Sequence, residues 1–97
     1  MKKTGLSEAL INEICQLAEK YHIRQVVLFG SRARGDYHRA SDIDLAVSGG
    51  DILHFTFDVD EETSTPLKYD VINLNLLISK ELRESIDREG IILYEEV

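Results

Sequence analysis

The chain has 97 residues, 43% hydrophobic and 30% charged, with a formal net charge of −7. That length predicts one small domain over residues 1–97, whose folding hides roughly 60–65% of the chain's surface. Its longest apolar runs, Val26–Phe29 and Ile91–Tyr94, fall far short of the roughly 20 residues a membrane helix needs. The acidic balance argues against direct duplex nucleic-acid binding by phosphate neutralisation.

No apolar stretch follows Lys2 and Lys3, so no secretory signal is expected. The lone Cys15 excludes an internal disulfide and a Cys-rich zinc site, and fits a reducing compartment. A cytoplasmic protein is the expectation. Charge is unevenly spread: residues 51–66 hold five acids and no Lys or Arg, whereas Arg32, Arg34 and Arg39 crowd one short loop.

Leu10, Ile11, Ile14, Leu17, Ala18 and Tyr21 recur at helical spacing behind Ser7, a good N-cap. His22 falls near the C-terminal end of that helix, where an imidazolium suits the dipole. Cys15 flanks the apolar stripe and reads as a buried, inert thiol. Gln25–Phe29 reads as a buried strand that stops at Gly30-Ser31, a tight loop. Ser41–Val47 alternates, with Asp42, Asp44 and Ala46 on one face and Ile43, Leu45 and Val47 on the other. Ser48-Gly49-Gly50 closes it. Residues 52–63 fit both periods: Leu53, Phe55, Phe57 and Val59 alternate, while Ile52, Phe55 and Val59 fit a helix capped by Asp51. Lys68–Leu74 is a third strand, Ser79 caps a helix containing Leu82 and Ile86, Gly90 offers it a left-handed exit, and Ile91–Tyr94 is a short fourth strand.

The chemistry concentrates between Gly30 and Leu45. Alternation puts the Asp42 and Asp44 carboxylates on one face, about 6.5–7 Å apart at the backbone. Such like charges call for a cation between them, and hard oxygen ligands beside substrate phosphates suit Mg²⁺. Asp-x-Asp alone is a weak signal; Asp58-Val59-Asp60 repeats it and reads as a solvated acidic face. Gly30 lets the chain turn so that successive N–H groups face an anion, with the Ser31 hydroxyl as a further donor. The glycines match neither a Walker loop nor a dinucleotide fingerprint. Together, however, Gly30-Ser31, ten residues, and Asp42-x-Asp44 set a phosphate cradle beside a carboxylate pair. Asp70 supplies a third acid; if its strand neighbours that of Asp42, three carboxylates can hold two metal ions about 3.5–4 Å apart for in-line phosphoryl chemistry. Arg32 and Arg34 are candidates to neutralise a triphosphate. Arg39 suits solvent or a partner, and Ser41 either a phosphate or the loop itself.

Residues 26–47 carry this motif, and they resemble the polymerase-β-like nucleotidyltransferases, above all the minimal nucleotidyltransferase (MNT) domains. The resemblance extends over nearly the whole chain. It implies an α+β fold, a small mixed β-sheet flanked by helices as in the polymerase-β palm, and so favours a helix over Ile52–Thr63. It implies that Gly30 and Ser31 grip the triphosphate of ATP, that Asp42 and Asp44 bind two Mg²⁺ ions, and that Asp70 helps activate the acceptor hydroxyl. It further implies an antitoxin in a hetero-oligomer with a HEPN-domain toxin, silencing it by transferring AMP from ATP to a tyrosine hydroxyl. The competing expectations are an antitoxin that blocks its partner by occlusion alone, and transfer to a small molecule or RNA end in a site completed by a partner subunit.

Overall fold

The computed structural model describes residues 3–97; Lys2, read above with Lys3, lies outside them. Four strands form one mixed sheet flanked by helices on both faces. The strands are β1 (Gln25–Phe29), β2 (Ile43–Ser48), β3 (Tyr69–Asn73) and β4 (Ile91–Glu95), in the order β3-β2-β1-β4. β1 runs antiparallel to β2 and β4, whereas β2 and β3 are parallel. No helix among the described residues is long and apolar enough to cross a membrane.

Helix α1 (Glu8–Lys20) starts where Ser7 Oγ accepts the Leu10 N–H at 3.1 Å. It ends in a Schellman turn: His22 N–H donates to Glu19 O and Ile23 N–H to Ala18 O, with His22 at φ 57°. His22 therefore takes the left-handed position that glycine usually fills. Leu10, Ile14 and Ala18 of α1 meet Val26 and Leu28 of β1 and Ile43, Leu45 and Val47 of β2 in the main core. Cys15 donates its S–H to Leu93 O at 3.2 Å, and burial pushes its thiol up, away from the reactive thiolate.

A parallel β2–β3 pair needs a crossover, and α3 (Ile52–Glu62) supplies it. Asp51 caps it by accepting the His54 N–H, and Ile52, Phe55 and Val59 turn into the main core. The helical period thus governs residues 52–62, leaving Leu53 and Phe57 exposed. On the opposite face, α4 (Lys80–Glu89), capped by Ser79, packs Ile86 against Val27 and Ala46. Gly90 does not make the expected left-handed exit. Its backbone is extended (φ −63°, ψ 142°), and the need for glycine is steric: a Cβ would sit 2.5 Å from Val27 Cγ1.

Two boundaries move for local reasons. Ser41 and Asp42 precede β2; Ser41 is engaged instead in the loop, where its Oγ accepts the His38 N–H at 2.7 Å. The stretch after Gly30, expected as a loop, winds into a single-turn helix α2 (Ser31–Arg34), closed by Gly35 at φ 96°.

Candidate active site

The sheet alternation that buries Leu45 sends its neighbour Asp44 to the face that α4 covers only in part. Asp44 lies in register with Phe29 of β1 on one side and Asp70 of β3 on the other. Paired residues of adjacent strands project to one face. Asp44 and Asp70 are therefore side by side, with Asp42 two residues before Asp44. Asp44 is half-buried, while Asp42 and Asp70 are exposed. None of the three accepts a side-chain hydrogen bond or an ion pair from a described residue. Burial pushes the Asp44 carboxyl above the usual range, and the charges of Asp70 and then Asp42 push it further, against a smaller opposing pull from Arg34.

Gly30 follows Phe29 and so comes up against Asp44. Its φ of 76° and ψ of −156° are almost exclusive to glycine. A Cβ there would overlap the Asp44 carboxylate, lying 3.1 Å from its Cγ and closer still to Oδ2. The Gly30 carbonyl accepts from Ala33 and Arg34 at the back of the turn. The N–H groups of Ser31 and Arg32 open α2 and have no intrahelical acceptor. A glycine cradle, two free donors and a carboxylate pair thus meet at one end of β1 and β2.

The two arginines behave differently. Arg32 is buried, and its guanidinium donates to the carbonyls of Thr4 (3.0 Å), Ser41 (3.1 Å), Arg39 (3.2 Å) and His38 (3.5 Å) while lying over the Tyr37 ring. The triphosphate-neutralising role expected of its guanidinium is therefore corrected. Its donors are spent on the loop that delivers Asp42, and it ties that loop to the segment before α1. Arg34 is half-exposed, pairing with Glu89 at 2.8 Å and Asp36 at 3.3 Å. The Glu89 and Asp36 carboxylates hold its guanidinium above the usual range, and Arg34 in turn holds Glu89 below it. Glu89 is 55 residues from Arg34, and no local sequence pattern announces their pairing. Tyr37 and the Thr4 carbonyl are likewise partners that only the fold brings to Arg32.

Among the described residues, no three acidic, His or Cys side chains are drawn together tightly enough to hold a metal ion. The donor set nevertheless suits one: hard carboxylate oxygens, unpaired, mutually repelling and reachable from solvent, as Mg²⁺ prefers. Asp42 and Asp70 are open to solvent, Asp44 only in part. A cavity of about 750 Å³ lies elsewhere, between residues 3–11, Tyr37 and β4.

A mixed sheet that presents a Gly-Ser turn and carboxylates from adjacent parallel strands on one face defines a nucleotidyl-transfer fold. The chain belongs to the polymerase beta nucleotidyltransferase family, whose model matches residues 12–97. It is a nucleotidyltransferase, as the sequence motif led us to expect. A relative from Methanocaldococcus jannaschii, provisionally named protein adenylyltransferase MJ0604, is 36% identical over 89 residues, covering 80% of this chain and 87% of its own. Among solved structures, a toxin–antitoxin crystallised with AMP-PNP superposes with a TM-score of 0.71 at 26% identity, over 89% of this chain and 73% of that one. A mutant of the toxin–antitoxin MntA-HpeT does so with a TM-score of 0.70 at 25% identity, over 94% of this chain and 74% of the other.

Proposed function

We propose that this chain is a Mg²⁺-dependent protein adenylyltransferase that moves AMP from ATP onto a hydroxyl of a toxin partner and acts as its antitoxin. The observation that carries the reading is the register pair Asp44–Asp70 set against the Gly30 cradle. The relative's name and the toxin–antitoxin neighbours support the acceptor being a protein. In its finer form, the reading makes the partner a HEPN-domain ribonuclease, the acceptor a tyrosine and the setting a cytoplasmic hetero-oligomer.

Each residue has a task that its position explains. The N–H groups of Ser31 and Arg32 and the Ser31 hydroxyl receive phosphate oxygens, and Gly30 admits them by having no side chain. Arg34, on the exposed side of α2, adds charge toward the triphosphate. Asp42, Asp44 and Asp70 hold the metal ions, and Asp70, at the sheet edge, takes up the proton of the incoming hydroxyl. Bound there, Mg²⁺ offsets the charge of the phosphates and of the leaving group. The acceptor oxygen bonds to the α-phosphorus, the α–β bridging bond breaks, and pyrophosphate departs.

The test is label position. With Mg²⁺ and the partner present, label on the α-phosphate of ATP becomes protein-bound while label on the γ-phosphate leaves as pyrophosphate. Protein-bound γ-label would make the reaction phosphorylation and overturn the reading.

A further inference from the structure

Among the described residues, neither outer strand of the sheet has a further neighbour, and the two edges are not equivalent. β4 is interrupted: its pairing with β1 slips between Val26 and Val27, which leaves Leu93 as the extra residue of a bulge. Bulges of this kind spoil an edge for further pairing. β3 has no such protection. Its five residues pair in unbroken register with β2. At the ends of that ladder, Ile43 N–H donates to Lys68 O and Leu74 N–H to Val47 O. Parallel pairing alternates, so Lys68, Asp70, Ile72 and Leu74 point their backbone groups at β2. Those of Tyr69 and Val71 point outward, as does the Asn73 N–H, while the Asn73 carbonyl accepts the Leu76 N–H at 3.2 Å.

The surroundings of this edge are equally unfinished. On the crossover helix beside it, Leu53 is 79% and Phe57 65% exposed, and Leu76 and Leu77, just beyond β3, are 64% and 102% exposed. A cavity of about 330 Å³ between α3 and β3 is lined by Phe57, Asp60, Glu61, Tyr69 and Val71. Neither of those two acids has an ion-pair partner among the described residues. Unpaired acids beside unpaired apolar side chains complement a basic, apolar segment. They disfavour a second copy of this chain, which would bring the same acids against one another and carries −7 itself. Asp70 lies on this same strand, so a segment seated on the edge is next to the carboxylate that an acceptor must reach.

We propose that the outer edge of β3 is the docking site for the acceptor protein, which adds an extended, Lys/Arg-bearing segment as a fifth strand: one face of the segment sets its apolar and basic residues against Phe57, Asp60 and Glu61, and the other face turns toward Asp70. This rests on the acceptor being a protein, as proposed above. Main-chain bonds to Tyr69, Val71 and Asn73 supply affinity, and the two acids select the partner.

The probe is a short peptide in which every second residue is valine or lysine, so that both share one face, with one tyrosine among serines on the other face, compared with the same peptide carrying glutamate for lysine. Under hydrogen exchange, the lysine peptide slows the amides of Tyr69, Val71 and Asn73 at least about tenfold and the glutamate peptide does not. Phe57→Asp and the double variant Asp60→Lys/Glu61→Lys lose that protection while still binding ATP as the parent does, which also shows that they fold. Protection appearing at β4, equal binding of both peptides, or unchanged protection in the variants would overturn the inference. Protection at β3 without α-label ever reaching a protein would keep the docking site and remove the transfer reading.

Discussion

Replacing Gly30 by alanine perturbs strain and site geometry at once, and the two effects separate experimentally. At φ 76° and ψ −156°, a residue with a side chain is strained whatever the space around it. Such backbone conformations cost about 1–3 kcal/mol. For a domain of this size that is a fall in Tm of roughly 5–20 °C. The new methyl also overlaps the Asp44 carboxylate, which must move by on the order of 1 Å, enough to cost about 100-fold in rate. Initial rates of adenylyl transfer at saturating ATP, beside thermal unfolding, measure both effects. In an Asp44→Ala background the overlap disappears and only the strain remains, so Gly30→Ala should cost less stability there than in the parent. A Gly30→Ala protein with parental Tm and parental rate would refute the cradle argument.

Ser31→Ala, which deletes one donor to a charged oxygen, should weaken transfer by roughly 1.5–3 kcal/mol and leave Tm near parental, unlike Gly30→Ala, which also lowers Tm. Arg32→Lys strips buried carbonyls of their donors and should lower stability to urea by about 1–3 kcal/mol. Arg34→Gln removes a half-exposed pair worth under about 1 kcal/mol, yet should raise the KM for ATP several-fold. The opposite pattern for these two arginines would reverse their assignments. The Asp44 carboxyl is held above its unfolded value, so the folded state binds more protons in that window and parental stability falls as pH rises through it. Without metal, Asp44→Asn should therefore be the more stable protein at pH 7, the gap closing below about pH 4; a constant gap would show that neither burial nor the neighbouring charges strain the Asp44 carboxylate.

Much of the site was legible because its signals are local. Ser7, Asp51 and Ser79 cap the helices they were expected to cap, and the alternation from Ile43 to Val47 fixes the face that Asp44 takes. Residues 52–62 carried two periods at once. The choice rests on the parallel β2–β3 pairing, which a single segment does not display. Gly90 misled because glycine serves close packing as readily as left-handed turns, and the two look alike until Val27 is beneath it. Arg32 misled more deeply: arginine after Gly-Ser suits a phosphate, yet four carbonyls from residues 4 and 38–41 converge on it in the fold. The Arg34–Glu89 pair is long-range and has no sequence signature. No pattern in β3 distinguished its open edge from the bulged edge of β4, since the bulge lies in the pairing with β1.

The central claim is that the carboxylates of Asp42, Asp44 and Asp70 carry out the transfer that silences a partner. It is tested most directly by the intact mass of the toxin partner after co-expression with the parent chain or with Asp44→Asn. The parent should leave the partner heavier by one or more adenylyl groups and the cells growing. With Asp44→Asn, folded and still bound in pull-down, the partner's mass should be unmodified and growth arrested. An unmodified partner in both cases, with growth protected in both, would contradict the enzymatic account and leave neutralisation by binding alone.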